Sequence, residues 1–88
     1  MLWQVEWDYR AVKELRKLDK LLQKNIIGYL KERVVSDAHP KRLGKALVPD
    51  RRGLWRYRVQ NARLICHINE QTKTVLILKV GYRKQVYQ

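Results

Sequence analysis

Four arginines and two tyrosines are the side chains best suited to chemistry in this 88-residue chain: Arg56, Arg58, Arg63 and Arg83, with Tyr82 and Tyr87. A guanidinium holds a permanent charge and presents paired N–H donors that match phosphate oxygens, but it does not deprotonate and cannot serve as a base. A tyrosine among arginines has its phenolate favoured by the neighbouring positive charge, so it can take a proton. The spacing of these residues sorts them further. In "GLWRYRVQNARLICHI", residues 53–68, a two-residue turn at Gln60-Asn61 sets 58 opposite 63, 57 opposite 64 and 56 opposite 65. Opposed residues share a face of a sheet and successive residues alternate. One face is then Trp55, Tyr57, Val59, Ala62, Leu64, Cys66 and Ile68, which must be core; the other is Leu54, Arg56, Arg58, Arg63, Ile65 and His67. Arg58 and Arg63 become cross-strand neighbours. Like charges so placed repel, and an anion such as phosphate between them is the natural compensation. The alternative is a solvated basic face with no ligand.

The same two faces sort several other residues. Trp55 and Tyr57 read as core and not as base-stacking platforms. Cys66 shares no face with a histidine, which argues against a catalytic thiol. His67 lies on the basic face several residues beyond Arg63 and is a candidate for acid or base chemistry, whereas His39, before Pro40, reads as exposed loop. Lys79, Gly81 and Arg83 share one parity, so Arg83 can rise beside the open face at the end of the last strand. Clustered carboxylates and histidines are too few to suggest a metal site.

The elements that must position these groups follow from periodicity. "LWQVEW" alternates with one apolar face and reads as a strand. Asp8 is a helix N-cap candidate, followed by Ala11, Val12, Leu15 and Leu18 at helical spacing, with Arg10, Lys13, Glu14, Arg16 and Lys17 on the other side. Asp19 can cap a second helix whose apolar stripe is Leu22, Ile26, Tyr29, Leu30 and Val34, ending by 36–40; Gly28 weakens it. "KRLGKALVPDRRG" reads as a basic loop, and strands are expected over 54–59, 62–69 and 74–80. The order β-α-α-β-β-β predicts one α+β domain over 1–88, with a helical hairpin on one face of a mainly antiparallel sheet.

Charge gives the class of partner. The chain is net +12, and residues 41–88 carry 12 basic against 2 acidic side chains while residues 1–40 carry 8 against 6. So one-sided a distribution points to a polyanion, nucleic acid before a membrane surface or an acidic protein. No apolar run approaches the length of a membrane helix. "MLWQVEWDYR" does not read as a signal peptide, and the single cysteine fits a reducing compartment; a cytoplasmic protein is expected.

"GLWRYRVxxxRLICxI", followed by "VLILKVGYRKQVY" and preceded by a helical hairpin and "LGKAL", resembles the RelE/ParE superfamily of bacterial toxin–antitoxin toxins, the RelE branch in particular. The resemblance implies an endoribonuclease that inhibits translation by cleaving mRNA in the ribosomal (30S) A site, needs no metal or cofactor, and is held by a cognate antitoxin, as a monomer or dimer within that complex. It implies attack by a ribose 2′-hydroxyl on the adjacent phosphate, with Arg58 and Arg63 on the phosphate, Arg83 on phosphate or leaving group, and Tyr87 as base. Lys45, Arg51, Arg52 and Arg56 are implied as contacts to RNA, joined by His67, Lys79 and Tyr82. Two motifs depart from the usual pattern: "QNAR" stands for "GDYR", and "VGYR" for "VGHR". The alternative expectation is a ParE-like toxin that inhibits DNA gyrase by binding, without nuclease activity. The combination of Arg63, Arg83 and Tyr87 favours the nuclease.

Overall fold

The computed structural model describes residues 3–35, 44–46 and 53–82. Its elements run β1 (Gln4–Trp7), α1 (Tyr9–Arg16), α2 (Lys20–Tyr29) continuing into a π-helical turn (Leu30–Val34), β2 (Lys45–Ala46), β3 (Leu54–Val59), β4 (Ala62–Asn69) and β5 (Thr74–Tyr82). They form one sheet in the order β1-β5-β4-β3-β2. The helices cover one face, as expected for the α+β class. Pairing is antiparallel except where β1 lies parallel to β5.

Both helix starts are set by the expected aspartates. Asp8 Oδ1 accepts from the Arg10 N–H at 2.9 Å, and Asp19 Oδ2 from the Leu22 N–H at 3.3 Å. Each satisfies a donor that the first helical turn leaves without a partner. Gln23 Nε2 donates to the Leu18 carbonyl at 2.7 Å, which ties the second helix back to the end of the first. The stripes then close on the sheet: Ala11, Leu15, Leu18, Leu22, Ile26, Leu30 and Val34 are buried against Tyr57, Leu64, Cys66, Val75 and Ile77. Gly28 sits in a helix interior with nothing within 4 Å of where a Cβ would stand. Gly28→Ala is therefore expected to raise stability by about 0.5–1 kcal/mol, read as a higher urea midpoint at constant m.

Two features differ from the sequence reading. The expected basic loop over 41–53 contains a fifth strand: Lys45 and Ala46 pair with Arg56 and Trp55. Gly44 permits this approach, since a Cβ there would strike the Arg56 carbonyl oxygen. Glu14, expected on the polar outer side of α1, instead reaches the sheet, and its Oε1 accepts the Val80 N–H at 2.8 Å. The reason is the shortness of β1, which pairs with Thr74 to Ile77 and no further. Beyond Ile77 that edge of β5 has no strand neighbour among the described residues, and the carboxylate fills the place of one. Glu14→Ala should cost about 1.5–2 kcal/mol in urea unfolding, because it leaves a half-buried amide without an acceptor, while Glu14→Gln keeps the acceptor and should cost less than half as much.

Candidate active site

The hairpin β3–β4 has the register that the arginine pattern demands. Arg58 lies opposite Arg63, Arg56 opposite Ile65, and Leu54 opposite His67. Tyr57, Ala62, Leu64 and Cys66 on the other face are fully buried. The arginines therefore sit on the face away from the helices because the alternating apolar residues take the core. The turn is tight, with Gln60 in the left-handed region at φ 54° that glycine usually fills. Arg63 Nη1 donates to the Gln60 and Ala62 carbonyls at 3.3 and 3.1 Å, which folds its guanidinium over the turn. That contact holds Arg63 in place next to Arg58, whose side chain is exposed.

A β-bulge decides what β5 adds to this face. Ile65 pairs with Lys79 and Cys66 with Ile77, so Leu78 has no partner. The extra residue reverses the alternation: Val75 and Ile77 point to the core before it, Val80 after it. Lys79 and Gly81 are thereby delivered to the open face, opposite Ile65 and Arg63. Ile65 is only 8% exposed although it lies on the open face, since the stems of Arg56 and Lys79 flank it. The same reversal moves Tyr82. It pairs with Ala62 and packs against the core cluster, so the expectation that it joins the RNA-contacting face is corrected.

Of the remaining candidates, His67 is half-buried on the open face at the far end of β4 from Arg63 and lines a separate cleft there. Lys45 stands opposite Arg56 in the backbone register. Arg51, Arg52, Arg83 and Tyr87, like His39, lie outside the described residues. Among the described residues, no three His, Cys, Asp or Glu side chains gather as metal ligands would, and no helix is long and apolar enough to cross a membrane.

Cys66 behaves as core. Its Sγ donates to the Trp55 carbonyl at 3.5 Å, and burial pushes the thiol up to about 12. Because the folded state disfavours the thiolate, the stabilising contribution is whole below the ordinary value of 9.0 and is lost as pH rises from there towards about 12. Between pH 8 and pH 10 the urea-unfolding free energy of the wild type should fall by about 1 kcal/mol more than that of Cys66→Ala. Iodoacetamide should label Cys66 slowly at pH 8 until urea unfolds the chain.

A family model described as the ParE toxin of type II toxin–antitoxin systems, parDE, matches residues 5–87. The chain belongs to the ParE toxin family. This toxin is a member of the RelE/ParE superfamily, and its fold is similar to that of RelE toxins. It is 25% identical to a chain of the toxin–antitoxin complex RelBE2 from Mycobacterium tuberculosis, with TM-score 0.82 over 94% of this chain and 100% of that one. Free E. coli RelE with two arginines replaced by alanine matches at 22% identity and TM-score 0.75 over 97% and 87% of the two chains. The RelE–RelB complex from Pyrococcus horikoshii OT3 matches at 22% identity and TM-score 0.72 over 94% and 97%. No curated protein matches the toxin's sequence.

Proposed function

We propose that this toxin is an mRNA endoribonuclease of the RelE kind, acting in the ribosomal A site and held inactive by a cognate antitoxin. The observation that carries the reading is the opposed pair Arg58 and Arg63 on a sheet face that the core does not use. Cleavage runs by transfer within the RNA. A base takes the proton of a ribose 2′-hydroxyl, a bond forms from O2′ to the adjacent phosphorus, the bond from phosphorus to O5′ breaks, and O5′ takes up a proton. The products are a 2′,3′-cyclic phosphate and a 5′-hydroxyl. Charge that grows on the phosphate oxygens meets the guanidiniums of Arg58 and Arg63.

Arg83 acts on the phosphate or the departing oxygen and Tyr87 is the base, since no arginine can be one. Arg56, Lys45, Arg51, Arg52 and Lys79 hold the RNA backbone. Arginines that bind and stabilise the phosphate without a full set of acid and base groups suit a substrate that the ribosome has already positioned. The antitoxin is an acidic segment that orders on binding, drawn by the toxin's excess of basic charge.

The matching family model favours a second reading, a gyrase inhibitor that acts by binding. A translating extract separates the two. Cleavage of a reporter transcript with 5′-hydroxyl ends, absent when translation is blocked, supports the ribonuclease. Intact transcript together with loss of DNA supercoiling by gyrase supports the inhibitor.

A further inference from the structure

The open face is not uniformly basic. At the end away from the arginine pair, β1, β5 and β4 enclose a cleft of about 390 Å³ lined by Gln4, Glu6, His67, Asn69, Thr74 and Leu76. Glu6 pairs with Leu76, and Leu76 with His67, so Glu6 and His67 stand two strand spacings apart, about 10 Å between Cα positions, with the apolar Leu76 between them. Glu6 is the one carboxylate on the described strand positions of this face. A carboxylate repels an RNA backbone, so its place beside a phosphate-binding surface calls for a different kind of contact.

We propose that this cleft binds a guanine base of the single-stranded RNA whose phosphate lies at Arg58 and Arg63; the inference rests on the RNA-cleaving reading above. Guanine is the base whose pairing edge sets two donors, N1–H and N2–H, side by side, and a carboxylate accepts both. Adenine and cytosine each put a ring-nitrogen acceptor next to their amino group, and uracil flanks its single N–H with two carbonyls, so each turns a lone pair towards Glu6. Asn69 completes the match. Its Oδ1 is engaged by the Gln71 and Thr72 N–H groups at 2.9 and 3.1 Å, so its amide NH₂ is the part left to offer, a donor suited to guanine O6. Leu76 gives the ring an apolar floor. The cleft lies four residues along β4 from Arg63, about 13 Å, a reach that extended single-stranded RNA covers in a few nucleotides. Splayed single-stranded bases read on their pairing edges are the usual route to sequence preference in RNA recognition.

The test is binding of the full chain to GMP, AMP, CMP and UMP, followed by amide chemical shifts, and to short uridine-rich RNAs carrying one guanosine, followed by fluorescence anisotropy. GMP should shift the amides of Glu6, Asn69 and Leu76, and one guanosine should tighten RNA binding by about tenfold, the lower end of what a bidentate base contact supplies. Glu6→Gln and Glu6→Ala, exposed changes on an edge strand, should remove that preference, with the fold checked by circular dichroism. Equal binding of all four nucleotides, or a guanosine preference that survives both variants, overturns the proposal. Guanine binding at Glu6 without transcript cleavage upholds the cleft and removes the ribonuclease reading, so the two fail separately.

Discussion

Arg63→Ala is expected to slow single-turnover transcript cleavage by about 10²–10³-fold, the usual consequence of removing one group aimed at charge that develops in the transition state. Its effect on stability is expected to be small for so large a loss. Arg63 lies on the face opposite the core, and what the fold forfeits is the contact of Nη1 with the Gln60 and Ala62 carbonyls at the turn. The Gln60 carbonyl is exposed and can bond water instead, while the Ala62 contact is only part-buried and faces the space that the arginine vacates, so about 0.5–1 kcal/mol is expected in urea unfolding. Arg63→Lys sharpens the test, because it keeps the charge and loses the planar fork; it should recover only a small part of the rate. Normal cleavage by Arg63→Ala would remove the ribonuclease reading and move the gyrase inhibitor ahead of it.

Tyr87→Phe removes one hydroxyl and keeps the ring, which separates proton transfer from packing. If Tyr87 is the base, single-turnover cleavage should fall by about 10²-fold or more while RNA and ribosome binding persist. The pH profile gives an independent readout. A wild-type rate that climbs with pH through the tyrosine's ionisation should flatten in the variant. Wild-type rates in Tyr87→Phe would pass the role to another group. His67 is the next candidate on this face; a base role predicts that His67→Ala changes cleavage more than binding, whereas a place in the cleft four residues along β4 from Arg63 predicts the reverse.

Local pattern alone carried much of this molecule. Strict alternation over 54–59 and 62–69, with two residues between, sets which side chains are buried and which arginines face each other, because a one-residue slip would put Tyr57, Leu64 and Cys66 in water. Asp8 and Asp19 mark the helix starts in the same local way, through donors two and three residues ahead. Arg58 opposite Arg63, the heart of the candidate site, was legible for this reason. What alternation cannot report is a break in its own rule. Lys79 falls on the open face as its parity with Gly81 and Arg83 suggested, but the bulge at Leu78, which reverses the faces of β5 and turns Tyr82 to the core, has no mark in "TVLILKVGY". A two-residue strand such as β2 has no period to detect. The remaining decisions depend on partners far along the chain: β1 pairing with β5 sets Glu6 two strands from His67, and the early end of β1 leaves the Val80 amide to Glu14, 66 residues away. Only the closed sheet brings those residues together, because each contact joins segments whose own neighbours give no sign of the other.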